Sequence, residues 1–480
     1  MRLSALLERD LAADPEISAV TADSRQVKPG ALFVALPGTK VDGRCFVPAA
    51  VQSGAAAILA AEPMADVSVP VVAVADPRRA YALAAAAFWG AQPRTCVAVT
   101  GTNGKTSIAV FCRQIFERLG RKSASMGTLG VQTGAEQLTP AGLTTPDAGD
   151  VARLLSELAG RGVTHLALEA SSHGVDQRRL DGVKLVAAGF TNLTQDHLDY
   201  HGGMDAYRAA KQRLFETLLP RGSIAVLNAD SDAYSVFAAS AVRAGHTLLS
   251  VGEHGQFLTL AGRELTPDGQ RLAIRADGRC FDVRLPLAGG FQASNALVAA
   301  GLCVAAGEKL AAVLEALEHV QGAPGRLQRV GAGPRGGEAY VDYAHTPDGL
   351  ETVLAALRPH TRGKLIVVFG AGGDRDRGKR PLMGEIASRL ADIAIVTDDN
   401  PRSEEPASIR AAILDAAPGA QEIGDRRQAI FEAARLMGDG DVLVVAGKGH
   451  EQGQLVAGVT HPFDDVAVTA AALQAEAAHA

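Results

Sequence analysis

The sequence predicts an α/β protein of three domains, and three observations carry that expectation. Apolar runs of strand length alternate with longer helical patterns from one end of the chain to the other, the pattern of parallel α/β architecture. At 480 residues the chain exceeds a single core, and about 150 residues per domain gives roughly three. Hydrophobic residues make up 47% and charged residues 21%, the composition of a folded globular protein and not of a disordered one. The net charge, 47 minus 53 or -6, argues against a non-specific nucleic-acid binder, and no Lys/Arg run forms a basic tail.

Residues 1–89 read as a small N-terminal α/β domain. The first ten residues meet acidic side chains too early for a signal peptide. Ala31–Leu36, Ala56–Ala60 and Val69–Val74 have the length and composition of short strands. A helical stretch, Arg78–Trp89, ends before Gly90 and Pro93. The longest apolar run, Ala80 to Ala91, falls short of the roughly 20 residues that span a bilayer. The five cysteines are odd in number, scattered and without a CxxC pair, which points to a reducing compartment. The chain reads as soluble, cytoplasmic and monomeric, with no membrane or nucleic-acid partner.

Residues 90–323 read as a central domain. Its strands are Thr95–Thr100, Val163–Glu169, Leu185–Phe190 and Ser223–Leu227, followed by an antiparallel-looking stretch from Gly255 to Arg284 and a helix over about Gln292–Ala306. Gln321–Gly325 is the linker candidate. In residues 324–480 the strands Ala339–Tyr343, Leu365–Phe369, Ile393–Thr397 and Val442–Val445 alternate with helices, so this domain should be a Rossmann-like doubly wound sheet. The Ala-rich C-terminal stretch reads as a helix.

The strongest chemical signal is Thr100-Gly101-Thr102-Asn103-Gly104-Lys105-Thr106-Ser107, a strand, a Gly-rich turn and the start of a helix that runs to Leu119. Glycines let backbone amides approach phosphate oxygens, and the helix N-terminus adds positive potential. Lys105 can reach the terminal phosphates and Thr106 can ligate Mg²⁺, so this is a short variant of the P-loop in a P-loop ATPase-like domain. Glu169 closes a buried strand in Leu168-Glu169-Ala170-Ser171, where a carboxylate suits a hard cation or, more plainly, caps a helix. Asp196, His197, Asp199 and His201 crowd one strand exit and favour a metal role, whereas Lys211 by itself reads as a solvated helix face. Thr144-Thr145-Pro146-Asp147 reads alone as a helix entry with Asp147 as N-cap, and the loops around Ser24 and Thr39 read alone as turns.

Four loops of the third domain follow apolar strands: Asp342 to Asp348, Gly370 to Arg375, Asp398-Asp399-Asn400-Pro401-Arg402, and Gly447-Lys448-Gly449-His450-Glu451. A parallel sheet delivers all four to one edge, where α/β proteins bind ligands. Turns account for their Gly and Pro but not for this density of Asp, Arg, Lys and His.

The phosphate loop resembles that of the Mur ligases and folylpolyglutamate synthetases, which join a carboxylate to an amine using ATP, and further Mur ligase motifs follow in order over nearly the whole chain. The resemblance implies an ATP- and Mg²⁺-dependent amide ligase of peptidoglycan precursor synthesis. Its substrates would be a UDP-muramoyl dipeptide and meso-diaminopimelate, with an acyl-phosphate intermediate. It assigns Gly101 to Ser107, Asn295, Arg326 and Asp342 to the nucleotide. Thr106, Glu169, His197 and Lys211, the last as a CO₂-derived carbamate, go to the metal. Ala22, Ser24, Thr39, Lys40, Val41, Thr144, Thr145, Ser171, Gln177 and Arg179 go to the UDP substrate. Arg375, Asp399, Asn400, Pro401, Arg402, Gly447 and Glu451 go to the diamino acid. The Asp-Asn-Pro-Arg motif matches the diaminopimelate-adding members, whose lysine-adding relatives lack this Arg. The alternatives are a folylpolyglutamate synthetase, which would not need UDP loops, and a non-catalytic nucleotide switch.

Overall fold

The structure, a computed structural model, describes residues 1–38, 41–134, 136–266 and 269–479. The chain divides into two compact units, Met1–Thr259 with Leu297–Val313, and Leu260–Ala296 with Leu314–Ala480. The helix Gly290–Ala305 contributes its start to the second unit and its remainder to the first. Among the described residues no helix is long and apolar enough to cross a membrane.

The first unit opens with a four-stranded parallel sheet whose strands lie in chain order: Ala19–Thr21, Ala31–Val34, Ala57–Ala60 and Val71–Ala73. The helix Pro77–Trp89 follows, started by Asp76, whose carboxylate accepts the Arg79 N–H, and stopped by Gly90 at φ 72°. It packs against the helix Ala148–Gly160, and the two approach closely enough that Tyr81 donates to Asp147 at 2.7 Å. Asp147 is the N-cap of that second helix, as the sequence reading expects.

The main sheet of this unit runs, from one side, Thr247–Gly252, Ile224–Asn228, Leu185–Phe190, Thr95–Thr100, His165–Glu169 and Ser123–Gly127, all parallel. Gly130–Thr133 and Glu136–Gln137 extend it antiparallel. Thr95–Thr100 is fully buried between Leu185–Phe190 and His165–Glu169. Its phosphate loop therefore lies between the segments that leave those two strands. The strand Ser123–Gly127 was not expected, because it is built from Ser, Ala, Met and Gly and carries no apolar run.

In the second unit Gly269–Ala276 and Arg279–Leu285 form an antiparallel hairpin. Asp277 and Gly278 turn it, both at positive φ (49° and 70°), the conformation that a two-residue hairpin demands. The six-stranded sheet runs Gln328–Ala332, Glu338–Asp342, Val442–Ala446, Leu365–Phe369, Ile393–Val396 and Gln421–Glu422. Only the first strand is antiparallel. The four strands read from the sequence are thus adjacent in the middle, and their loops leave from one edge. Apolar cores lie on both sheet faces, with Leu350, Met383 and Ile413 on one and Ile430, Ala434 and Val468 on the other.

Candidate active site

The phosphate loop of the first unit is held open from below. Gly101 adopts φ 149°, and a Cβ there would fall on the Thr191 hydroxyl; Gly104, at φ 87°, starts the helix Lys105–Arg118. Thr191 and Asn192 pin the loop: the Thr191 hydroxyl donates to the Asn103 carbonyl at 2.6 Å, and Asn192 accepts from the Thr102 and Asn103 amides at 2.9 Å each. The Lys105 ammonium donates back to the Gly101 and Thr102 carbonyls at 2.9 and 2.8 Å. Thr106 and Ser107 are buried in the first helical turn.

Glu169, 3% exposed, ends its strand beside this helix. It accepts from the Thr106 hydroxyl at 3.1 Å and from the Thr128 amide and hydroxyl at 2.8 and 3.3 Å. A Cβ on Gly127 would overlap its carboxylate. The Thr106 hydroxyl and the Glu169 carboxylate beside a phosphate loop are hard oxygen donors of the kind Mg²⁺ takes, together with water and phosphate. Among the described residues no group of three or more His, Cys, Asp or Glu could hold a metal ion.

Lys211 lies under the loop and is 1% exposed, which overturns the solvated-face reading. On the helix Met204–Arg213 it shares a buried face with Tyr207 and Ala210, an i, i+3, i+4 pattern inside a mostly polar segment. Its amine donates to the Gly101 carbonyl at 2.8 Å and sits 4.4 Å from the centre of the Tyr207 ring. Burial, and then the nearby Lys105 charge, push its pKa well below the ordinary lysine range, with Asp196 opposing. His197, at φ 52°, joins a ring cluster: its ring lies 4.7 Å from that of His173, which also packs on Tyr200 and His201. Burial and the neighbouring histidines lower His173 to about 4. His197 also faces Asp196 at 3.4 Å, and the Asp196 charge acts on Lys211 as well.

Five residues assigned to the UDP substrate form one network reaching Glu169. Thr144 meets Thr128 at 2.9 Å. The Thr145 hydroxyl bonds the Glu169 carbonyl and Ser171, each at 3.0 Å. Arg179 donates to the Thr145 carbonyl at 2.7 Å and to Gln177 at 2.8 Å. Ser171 also caps the helix Ser172–Asp176. Ala22 is partly buried against the core cluster that contains Tyr81, whose hydroxyl donates to Asp147 at 2.7 Å. Ser24 begins a short 3-10 turn capped by Asp23, and Val41 is exposed. Thr39 and Lys40 lie outside the described residues.

In the second unit Asn295, Arg326 and Asp342 stand close together. Asn295 bonds Gln292 at 3.1 Å, whose own amide reaches the Arg326 carbonyl at 3.5 Å. Arg326 lies 4.5 Å over the Tyr343 ring, with its buried Nε unpartnered. Asp342 accepts the Leu327 amide at 2.5 Å; burial raises its pKa to about 6, against the opposing Arg326 charge. A buried guanidinium nitrogen without a partner, a cation stacked on an aromatic ring and a carboxyl whose pKa is raised to about 6 form a polar cluster of the kind that can receive a nucleotide.

The amino-acid loops gather Asp399, Asn400, Pro401, Arg402, Gly447 and Glu451. Arg402 sits at φ 56°, with its amide on the Leu455 carbonyl at 2.9 Å and its guanidinium on the Gly373 carbonyl at 2.7 Å. Gly447 and Gly373 are small by necessity, since a Cβ would strike Asp399 in one case and the Pro401 carbonyl in the other. Arg375 is exposed on the neighbouring loop. Lys448, read only as part of its loop, is wholly buried here, 2.9 Å from Asn400 Oδ1 and 3.1 Å from Glu451 Oε2. Arg426 was also missed: fully buried with Asp465, it bonds the Ala446 carbonyl at 3.0 Å and ties one strand end in place. Its only sequence signal was two adjacent arginines after Asp425.

A phosphate loop with a buried acid behind it, on a parallel sheet, followed by a doubly wound sheet with a polar loop edge, defines an ATP-using α/β ligase. The chain matches the Mur ligase family catalytic domain over residues 16–89, the Mur ligase middle domain over 99–303, and the Mur ligase glutamate ligase domain over 325–449. It is 72% identical to the UDP-N-acetylmuramoyl-L-alanyl-D-glutamate--2,6-diaminopimelate ligase of Caulobacter vibrioides, over 98% of this chain and 99% of that one. To the protein of the same name from Mesorhizobium japonicum it is 55% identical over 98% of each chain. A solved structure of a ligase so named superposes with a TM-score of 0.75 at 34% identity, covering 99% of both chains. The chain belongs to the Mur ligase family.

Proposed function

We propose that this protein is an ATP-dependent ligase that joins meso-2,6-diaminopimelate to the D-glutamate γ-carboxylate of UDP-N-acetylmuramoyl-L-alanyl-D-glutamate, a step of peptidoglycan precursor synthesis. The observation that carries the reading is the Asp399–Arg402 loop packed against Gly447 and Glu451, with Arg402 held by Gly373. Diaminopimelate differs from lysine by one distal carboxylate, and a planar guanidinium fork is the side chain that pairs such a group best. The 72% identical relative bears the corresponding name.

In this reading residues 1–89 bind the UDP moiety, 90–323 the nucleotide phosphates and muramoyl peptide, and 324–480 the amino acid. The γ-carboxylate oxygen attacks the γ-phosphorus of ATP; the P–O bond to ADP breaks, leaving an acyl phosphate. The diaminopimelate amine adds to the acyl carbon, loses a proton and expels phosphate, leaving the amide. Little covalent work falls to the protein, so catalysis is positioning and charge neutralisation. Lys105 turns from its loop carbonyls to the transferring phosphate. Thr106 and Glu169 would hold Mg²⁺, with His197 and a carbamate on Lys211 as candidate further ligands, and the bound ion would supply charge neutralisation at the phosphates. Burial and the Lys105 charge lower the pKa of Lys211, which favours the neutral amine that CO₂ requires; its lone pair forms an N–C bond, a proton leaves and an anionic carbamate results. Thr144, Thr145, Ser171, Gln177 and Arg179 orient the muramoyl peptide, and Asn295, Arg326 and Asp342 hold the nucleotide.

The test is product analysis with ATP, the UDP-muramoyl dipeptide and diaminopimelate. The reading requires one ADP for each amide formed, and no comparable ADP release when either co-substrate is left out. Brisk ADP release from ATP alone would favour a nucleotide switch, and turnover of a folate in place of the UDP substrate would favour the folylpolyglutamate alternative.

A further inference from the structure

The amino-acid loops contain a charged side chain to which the reading above gives no role. Lys448 is 0% exposed, yet it carries an ammonium. A buried lysine is costly unless it is paired and hydrogen-bonded. Its Nζ donates to Asn400 Oδ1 at 2.9 Å and to Glu451 Oε2 at 3.1 Å, and it lies 4.0 Å from Asp399 Oδ1. All three partners belong to the proposed diaminopimelate site, and none lies elsewhere in the core.

The geometry fixes more than charge. An asparagine amide can rotate to present either its oxygen or its nitrogen, and the neighbours decide which. Here two groups that can only donate, Lys448 Nζ and the Leu455 backbone N–H, both sit 2.9 Å from the same terminal atom. That atom must be the oxygen. The nitrogen is thereby turned the other way, where one N–H meets Glu451 Oε2 at 2.9 Å. The second N–H remains, and it is a donor by construction. Gly447 and Gly449, at φ 123° and 55°, bend the backbone so that the lysine between them enters the interior.

We infer that Lys448 is a positioning residue for the amino-acid site: a buried ammonium that locks the Asn400 amide with its N–H edge outward and steadies the Glu451 carboxylate beside it. The site thereby offers a fixed donor to a substrate carboxylate and a fixed acceptor to a substrate amine, the two groups at an amino-acid end. Lys448 touches neither directly; it acts through Asn400 and Glu451. The inference rests on the proposed amino-acid specificity, and the two fail separately. Wild-type turnover of diaminopimelate tests the specificity, and the variants below test the lysine.

Lys448→Met keeps the length of the side chain and removes the charge. Loss of a charge-assisted hydrogen bond that orients a substrate-binding group should raise the diaminopimelate KM roughly ten- to a hundredfold. The KM values for ATP and the UDP-muramoyl dipeptide should stay within about twofold, a split that a merely destabilised protein would not give. In an Asn400→Ala background Lys448→Met should cost less than it does alone, because part of its effect passes through the missing amide. If Lys448→Met does not fold, Lys448→Gln decides: it fills the space with a neutral polar group, removes the ammonium from Asn400 Oδ1 and Glu451 Oε2, and should raise the diaminopimelate KM alone. An unchanged diaminopimelate KM in a folded variant, or three KM values rising together, would overturn the inference.

Discussion

Among the described residues two lysines are almost wholly buried, Lys211 at 1% and Lys448 at 0% exposure, and their surroundings differ. Lys448 is met by an amide oxygen and two carboxylates, those of Glu451 and Asp399. Lys211 has a backbone carbonyl, a tyrosine face and a second lysine nearby, and its pKa falls well below the ordinary range. The Lys448 charge is thus met by carboxylates before any ligand arrives. At Lys211 the larger effects are burial and a second cation, Lys105, with Asp196 opposing them. The same residue type meets carboxylates in one place and has its charged form disfavoured in the other, and only its neighbours decide which.

The largest effect is expected at Arg402. If the amino-acid loops read a distal carboxylate, Arg402→Ala removes the partner of a charge and costs about 2–5 kcal/mol, so diaminopimelate use should fall roughly 30-fold to a few thousand-fold. Lysine should stay a poor substrate. Steady-state kinetics with both amino acids check this, and an unchanged preference for diaminopimelate would remove Arg402 from the site. Next comes Lys211. Lys211→Ala should fold, with its melting temperature close to that of the wild type, while kcat falls by about 10²–10³, the cost of losing one charge-stabilising group. A carbamate ¹³C resonance, present in the wild type supplied with ¹³CO₂, should vanish with it.

A smaller effect sharpens the contrast at Asp342. Its pKa is raised to about 6 because burial disfavours the carboxylate. As pH falls through about 6 the group takes up a proton and loses its attraction for Arg326. The KM for ATP should therefore rise below that pH and level off above it, and Asp342→Asn should flatten the profile. On the stability side the sign is opposite to that of a paired carboxylate. Since the folded pKa lies above the ordinary value, this group contributes stability below about 4 that is lost as pH rises through about 6. The smallest effect is at Tyr81. Tyr81→Phe deletes its bond to Asp147 and should lower stability by about 1–2 kcal/mol in urea unfolding, with a modest rise in the KM of the UDP substrate.

Much of the fold was legible because this fold writes itself in apolar runs. Thr95–Thr100, Leu185–Phe190 and Leu365–Phe369 carry the bounds expected of them, and the Asp277-Gly278 turn is marked by its residue types. Ser123–Gly127 escaped notice for a reason that belongs to the site. It is buried without being strongly apolar, and its last residue is Gly because the Glu169 carboxylate occupies the space a Cβ would need. The phosphate loop could be read because its chemistry is local: glycines, a lysine and a threonine within seven residues. Lys448 and Arg426 could not, since nothing in a sequence separates a buried cation from a surface one until its distant partners, Asn400 in one case and Asp465 in the other, are in place. Lys211 reads as a surface lysine by the same logic.

In the proposed route the carboxylate is activated by phosphoryl transfer before the amine attacks, and oxygen labelling reaches that step directly. With ¹⁸O in the γ-carboxylate of the UDP-muramoyl dipeptide, the labelled oxygen bonds to phosphorus and leaves with it when the amide forms. Mass spectrometry of the inorganic phosphate should find one carboxylate-derived oxygen per turnover. Phosphate free of label, with amide product formed, would contradict the acyl-phosphate route.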